Sequence, residues 1–151
     1  MKGGTLDWNG AESTLVNVRR VLPDLVRDYF KSGRKLDSDS TAKNLHGFRL
    51  KTKRLRYTLE AFDSYYGPGL QPKVAGLRPI QNALGDLNDC EVLLSSIGKK
   101  LPDEVRAWVK KRADEKLKEF LRYWREEFDA DGEDRKWEMY LTRATRRKVA
   151  Q

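Results

Sequence analysis

The chain has 151 residues, enough for one domain with a single core and too short for two comfortable ones. Lys and Arg number 31 against 23 Asp and Glu, a net charge of +8. Even so, 38% of residues are hydrophobic and four are Trp, which excludes a disordered basic tail. A single Cys (Cys90) and a single His (His46) exclude an internal disulfide, a Cys-rich zinc site and a multi-histidine metal cluster.

The opening MKGGTLDWNG lacks an apolar signal core, and no apolar run is long enough to cross a membrane. The expectation is a cytoplasmic protein without membrane contact, with residues 1–10 as a flexible lead-in and 11–151 as one helical domain. A first helix is predicted from Ala11 to Ser32, because Leu15, Val18, Leu22, Leu25 and Tyr29 recur at three-and-four spacing. Pro23 is expected to kink or restart it and Gly33 to stop it. The run SDSTAKN offers N-caps for a second helix, Thr41 to Tyr65, whose core face is Phe48, Leu55, Leu59 and Phe62. After the breaker YYGPGLQP, a third helix spans Pro72 to Ile97, bent at Pro79. A fourth runs from Asp103 to Phe128, with Pro102 and two acids at its start. A short fifth helix, Glu133 to Lys148, carries Trp137, Tyr140 and Leu141. Strand-like alternation is absent, so the fold class is all-α: an antiparallel four-helix bundle with an extra short C-terminal helix.

The second helix carries the functional signal. From Ser40 to Leu59 there is no acidic residue, while Lys43, His46, Arg49, Lys51, Lys53, Arg54 and Arg56 all fall there. At about 100° per residue, His46, Arg49, Lys53 and Arg56 occupy an arc of roughly 80°, nearly opposite the apolar face. Arg49 and Lys53 stand four apart and repel, where a helix built only for stability would alternate Glu and Lys. A bound anion relieves that repulsion, although basic helix faces are often merely solvated. Weaker stripes, Arg20, Arg27, Lys31 and Arg34 on the first helix and Lys111, Lys118, Arg122 and Arg125 on the fourth, are diluted by acids. They become interesting as walls of a groove floored by the second helix. His46, at the edge of the arc, can donate to an anion from a ring N–H or simply pack at the helix start.

The third helix carries QNALGDLNDCEVL. Its carboxylates can hold Arg and Lys rotamers of a facing basic helix by charge-assisted bonds. Acid–base or metal chemistry would need further ligands at good spacing, which the sequence lacks. Gly85 is read as allowing close helix approach, and Cys90 as a small buried hydrophobe.

The stretch LHGFRLKTKRLRYTLEAF, with His46, Arg49, Lys53, Arg54, Arg56 and Tyr57, resembles the signature of the CHAD family, the conserved histidine alpha-helical domains. LRPIQNALGDLNDCEVL resembles the family's next helix, with Gln81, Leu84, Gly85, Asn88 and Asp89 matching. The resemblance implies a domain that binds inorganic polyphosphate in a basic groove. His46, Arg49, Lys53, Arg54 and Arg56 would be ligands, and Tyr57, Asn88 and Asp89 would support them. Arg20, Arg27, Lys31, Lys118 and Arg122 are additional candidates. It also implies association with polyphosphate granules. Family members have two four-helix units related by an approximate two-fold, and this chain carries one copy of the signature, so a homodimer is expected, with the fifth helix either a candidate contact or a cap on its own bundle. The Glu-x-Glu-x-Lys motif of triphosphatase-fused relatives is absent, so the expectation is a binding module without cofactor or metal, not an enzyme. Nucleic acid is the alternative polyanion, although single-strand binders interleave exposed aromatics with their cations. A helical scaffold without such a ligand is the third reading.

Overall fold

In the computed structural model, which describes residues 6–145, helix starts lie where side-chain oxygens take up free amide protons. Ser13 Oγ accepts from the Val16 amide at 3.3 Å and opens α1 (Thr14–Lys35). Thr41 Oγ1 accepts from the Asn44 amide at 3.2 Å and opens α2 (Ala42–Ala61). Two single 3-10 turns lead to α3 (Leu70–Ala75), then α4 (Arg78–Ile97), α5 (Asp103–Tyr123) and α6 (Glu133–Leu141). No strand occurs among the described residues, and the chain is all-α.

Several boundaries differ from expectation for identifiable reasons. α1 runs through Pro23 unbroken, because Val18, Leu22 and Val26 bury on either side of it and hold the turn that lacks one amide. Gly33 lies inside α1 rather than ending it. The expected third helix is two: the chain turns at Gly76 and Leu77, and Pro79 falls in the first turn of α4, where no amide is needed. α5 passes into a five-residue π turn, Trp124–Phe128, closed by the Asp129 amide on the Trp124 carbonyl at 2.7 Å. The lead-in is anchored from residue 6 onward. Trp8 stacks on Phe62 at 5.9 Å, and the buried Asn17 accepts from the Asn9 amide at 2.7 Å while donating to its carbonyl at 2.9 Å. Residues 1–5, and Arg146 to Lys148 of the expected fifth helix, lie outside the described residues.

Helix α2 packs between α1 and α4, α5 lies on α4, and α6 lies along α1. Their shared core is aromatic. Trp124, 2% exposed, meets Tyr29, Phe30, Phe48, Phe120 and Phe128 at ring separations of 5.1 to 6.4 Å. Each well-oriented aromatic pair adds about 0.5–1.5 kcal/mol beyond its buried area. Gly33 makes room for this cluster, since a Cβ there would overlap Cζ2 and Cη2 of the Trp124 ring.

The apolar face of the C-terminal helix packs within its own chain, as in the reading of it as a cap on its own bundle. Trp137 and Leu141 are 4% and 0% exposed within their own chain. Tyr140 donates to the Tyr66 carbonyl and Tyr66 to the Leu141 carbonyl, both at 3.0 Å. Arg27 pairs with Glu138 at 3.1 Å, and Arg34 with Asp129 and Asp134 at 2.7 and 3.0 Å. An amphipathic helix with that apolar face completes its own core before it can offer the face to a partner.

Two outcomes follow for stability. Gly33→Ala should destabilise by about 1–3 kcal/mol or more, read by denaturant unfolding, because the Trp124 ring has nowhere to retreat. The Arg34 guanidinium holds the Asp134 carboxyl below the usual carboxylate range. A depressed carboxylate contributes stability above its unfolded pKa of about 3.9 and loses it as pH falls through the folded value. The melting-temperature difference between wild type and Arg34→Met should therefore be full near pH 6 and shrink towards pH 2.

Candidate anion-binding groove

The inner face of α2 is set by Phe48, Thr52, Leu55 and Leu59, all buried. Thr52 is polar, and its hydroxyl is satisfied by the Phe48 carbonyl and the Tyr29 hydroxyl, each at 2.8 Å. That anchor fixes the rotation of α2 and turns its cationic arc outward, towards α4. The two helices are antiparallel, joined by residues 62–77, and His46 Nδ1 lies 3.1 Å from Asn88 Oδ1. Counting from that contact at about 1.5 Å per residue, Arg49 lies level with Gly85, Lys53 with Gln81 and Arg56 with Arg78. The α2–α4 seam thus brings together Arg49, Lys53 and Arg56 with the α4 stripe of Gln81, Gly85 and Asn88.

Gly85 does not serve close packing, as expected from the sequence. A Cβ built there meets nothing within 4 Å, so the seam is open beside Arg49. His46 is exposed, Arg49 and Lys53 are half-buried, and none of the three forms an ion pair among the described residues. Arg56 has only its own-helix neighbour Glu60, at 3.5 Å, and lies 4.9 Å over the Tyr57 ring. The Nε atoms of Arg49 and Arg56 are shut from solvent without a hydrogen-bond partner, and so is Gln81 Oε1. Leaving a buried polar atom unpaired costs about 1–3 kcal/mol. Arg54 is exposed on the outer side of α2. Lys51, by contrast, belongs to the scaffold: its ammonium donates to Ser32 Oγ on α1 at 2.7 Å.

The other sequence candidates separate from this seam. On α1 the side facing α2 is marked by Tyr29 and Ser32. Arg27 stands roughly 160° round the helix from Tyr29, facing α6. Arg20 is bound to Asp7 at 2.8 Å and Glu12 at 3.2 Å, and Arg27 to Asp24 at 2.7 Å as well as to Glu138. Arg122 pairs with Glu126 at 3.4 Å, and Arg125 with Asp37. Lys31 and Lys118 are exposed without ion pairs among the described residues. The α1 stripe is therefore not a wall of the α2 groove, and Arg20, Arg27 and Arg122 are already neutralised in place.

The α4 carboxylates also point elsewhere than expected. Asp86 reaches Lys116 and Arg112 on α5, at 3.4 and 4.0 Å, while Asp89 is exposed with no ion pair among the described residues. Asn88 touches α2 through His46. Cys90 is buried as expected, and burial pushes its thiol up. A surface depression of about 420 Å³ at the α4–α5 turn is lined by Leu94, Gly98, Lys99, Arg106 and Lys110, away from the α2–α4 seam. Arg106 is committed there to the Gly98 and Leu101 carbonyls, at 2.9 and 3.0 Å. Gln81 entered the sequence reading only through the family resemblance, and Arg78 not at all. The signal that could have found Gln81 is its place seven residues before Asn88, on the same face of α4.

The sequence model of the CHAD domain matches residues 6–98, from the lead-in to the end of α4. The chain belongs to the CHAD family. No curated protein and no solved structure matches it. The CHAD match contains the whole α2–α4 seam. α5, the π turn and α6 lie beyond the match and supply Trp124, Phe128 and Trp137 to the core. Since Asp89 holds no cation of α2, Asp89→Ala should leave unfolding stability within about 0.5 kcal/mol of wild type in denaturant titration.

Proposed function

We propose that this CHAD protein is a cytoplasmic binding module for inorganic polyphosphate, which it takes along the α2–α4 groove through His46, Arg49, Lys53 and Arg56, with Arg54 adding positive field from the outer side of α2. CHAD domains are associated with polyphosphate binding in general. The observation that carries the reading to these residues is the pair of half-buried guanidiniums, Arg49 and Arg56, whose Nε donors lack a hydrogen-bond partner among the described residues, on a helix that carries no acid before Glu60. Polyphosphate presents repeated phosphoryl oxygens and no bases to read. Guanidinium forks and ammonium groups in a row suit that ligand. Two chains would present two such helices to one polyanion, the arrangement that a homodimer requires, joined through a surface other than α6.

One observation favours a second reading. Tyr57 is 51% exposed beside Arg56, and an exposed ring next to a cation can stack a base of single-stranded nucleic acid. A single such ring offers one stacking step, whereas the cationic row continues over three turns.

Binding of long-chain polyphosphate should weaken linearly in log affinity against log salt, as for other polyanions. The double reversal Arg49→Glu with Arg56→Glu should lower affinity more than about a hundredfold, since each charge-assisted bond contributes about 1.5–3 kcal/mol. Its helical circular dichroism should stay unchanged. Retention by polyphosphate, single-stranded DNA and RNA at matched salt separates the two readings, and tighter capture by the nucleic acids would favour the second. Undiminished polyphosphate binding by the double variant would remove the site.

A further inference from the structure

Three polar atoms of the α2–α4 seam are buried without a partner: Arg49 Nε, Arg56 Nε and Gln81 Oε1. The two arginines suit an anion, but Gln81 is not a cation, and among the described residues its side chain makes no hydrogen bond that would account for a glutamine there. Its place is set by the register. Asn88, one heptad along the same face of α4, touches His46, so Gln81 lies level with Lys53, between the turns that carry Arg49 and Arg56. Gly85, one turn away on α4, leaves the space beside it open. The other atom of the Gln81 amide, Nε2, is not shut from solvent and is a neutral donor beside the cationic groove.

We propose that Gln81 is a ligand-contacting residue of this groove, its amide donating to a phosphoryl oxygen held between Arg49 and Arg56. The proposal rests on the polyphosphate reading and adds to it a contact of a different physical kind. A guanidinium binds a polyanion partly by displacing its counterions, so removing one lowers the dependence of affinity on salt. An amide carries no charge. It contributes a hydrogen bond of fixed direction, favours a tetrahedral oxyanion seated at one point over a diffuse anionic surface, and displaces no counterion.

The test compares wild type, Gln81→Met and Gln81→Glu for binding of inorganic polyphosphate across a salt series, with thermal unfolding of each. Gln81→Met keeps length and volume while removing the polar atom. It should lower affinity roughly tenfold or more at every salt concentration, with the slope against log salt unchanged. Its melting temperature should stay level or rise, because a buried unpaired atom has been removed. Gln81→Glu places a carboxylate between the two arginines, and should raise the melting temperature while reducing affinity further and flattening the salt slope. If wild type binds polyphosphate and Gln81→Met binds it equally well, the Gln81 contact is wrong and the polyphosphate reading stands. If Gln81→Met fails to fold, the role of Gln81 is packing, and the contact is overturned unless Gln81→Glu folds and loses affinity. If wild type itself does not bind polyphosphate, the functional reading falls and this contact with it.

Discussion

The indole of Trp124 occupies the space where residue 33 would otherwise carry a side chain, and the orientation of the cationic helix depends on that fit. From this position Trp124 reaches Tyr29 and Phe30 on α1, Phe48 on α2 and Phe120 on α5. Phe48 is stacked on Tyr29 at 4.7 Å, and the Tyr29 hydroxyl bonds Thr52 one turn further along α2. Two successive turns of α2 are therefore pinned to α1 by an aromatic and a polar contact. With that side fixed, Arg49 and Arg56 have only the α4 seam and solvent to face.

Electrostatics across the rest of the surface show how unusual the seam is. The stripes on α1 and α5 hold cations within reach of acids: Arg20 with Asp7, Arg27 with Glu138, Arg34 with Asp129 and Asp134, Lys116 with Asp86. These pairs are exposed and individually weak, but they leave little unbalanced field where they stand. On α2 the nearest acid is Glu60, in the last turn, and it reaches only Arg56. The acid-poor face of α2 thus sets positive charge beside an open seam with low-dielectric walls, where field is focused on an approaching anion. Arg49 Nε and Gln81 Oε1, buried without a hydrogen bond among the described residues, and Arg56 Nε, with only the long 3.5 Å contact to Glu60, leave that seam energetically incomplete without a ligand.

Much of the helical plan could be read from the chain. Apolar spacing located α1, α2, α5 and α6, because the buried face of a helix recurs at a period that sequence displays directly. The run of N-cap candidates before α2 and the acid-free run from Ser40 to Leu59 needed no structure either. Boundaries at Pro23 and Gly33 went astray for one shared reason. A helix breaker acts through local backbone preference, and packing of Val18, Leu22 and Trp124 outweighs that preference by several kcal/mol of burial.

The candidate site divides in the same way. Sequence by itself determined which face of α2 is cationic, since residue spacing on one helix fixes the angle between its side chains whatever surrounds it. It could not determine which neighbour that face meets, because two helices distant in sequence choose their partner by surface complementarity. Only the tertiary structure set Asn88 against His46, sent Asp86 to α5 and left Asp89 in solvent, and turned Arg20 and Arg27 away from the groove. It alone showed Gln81 Oε1 shut from solvent level with Lys53 and Tyr57 exposed, because burial is a property of packed surfaces and not of any residue's own chemistry.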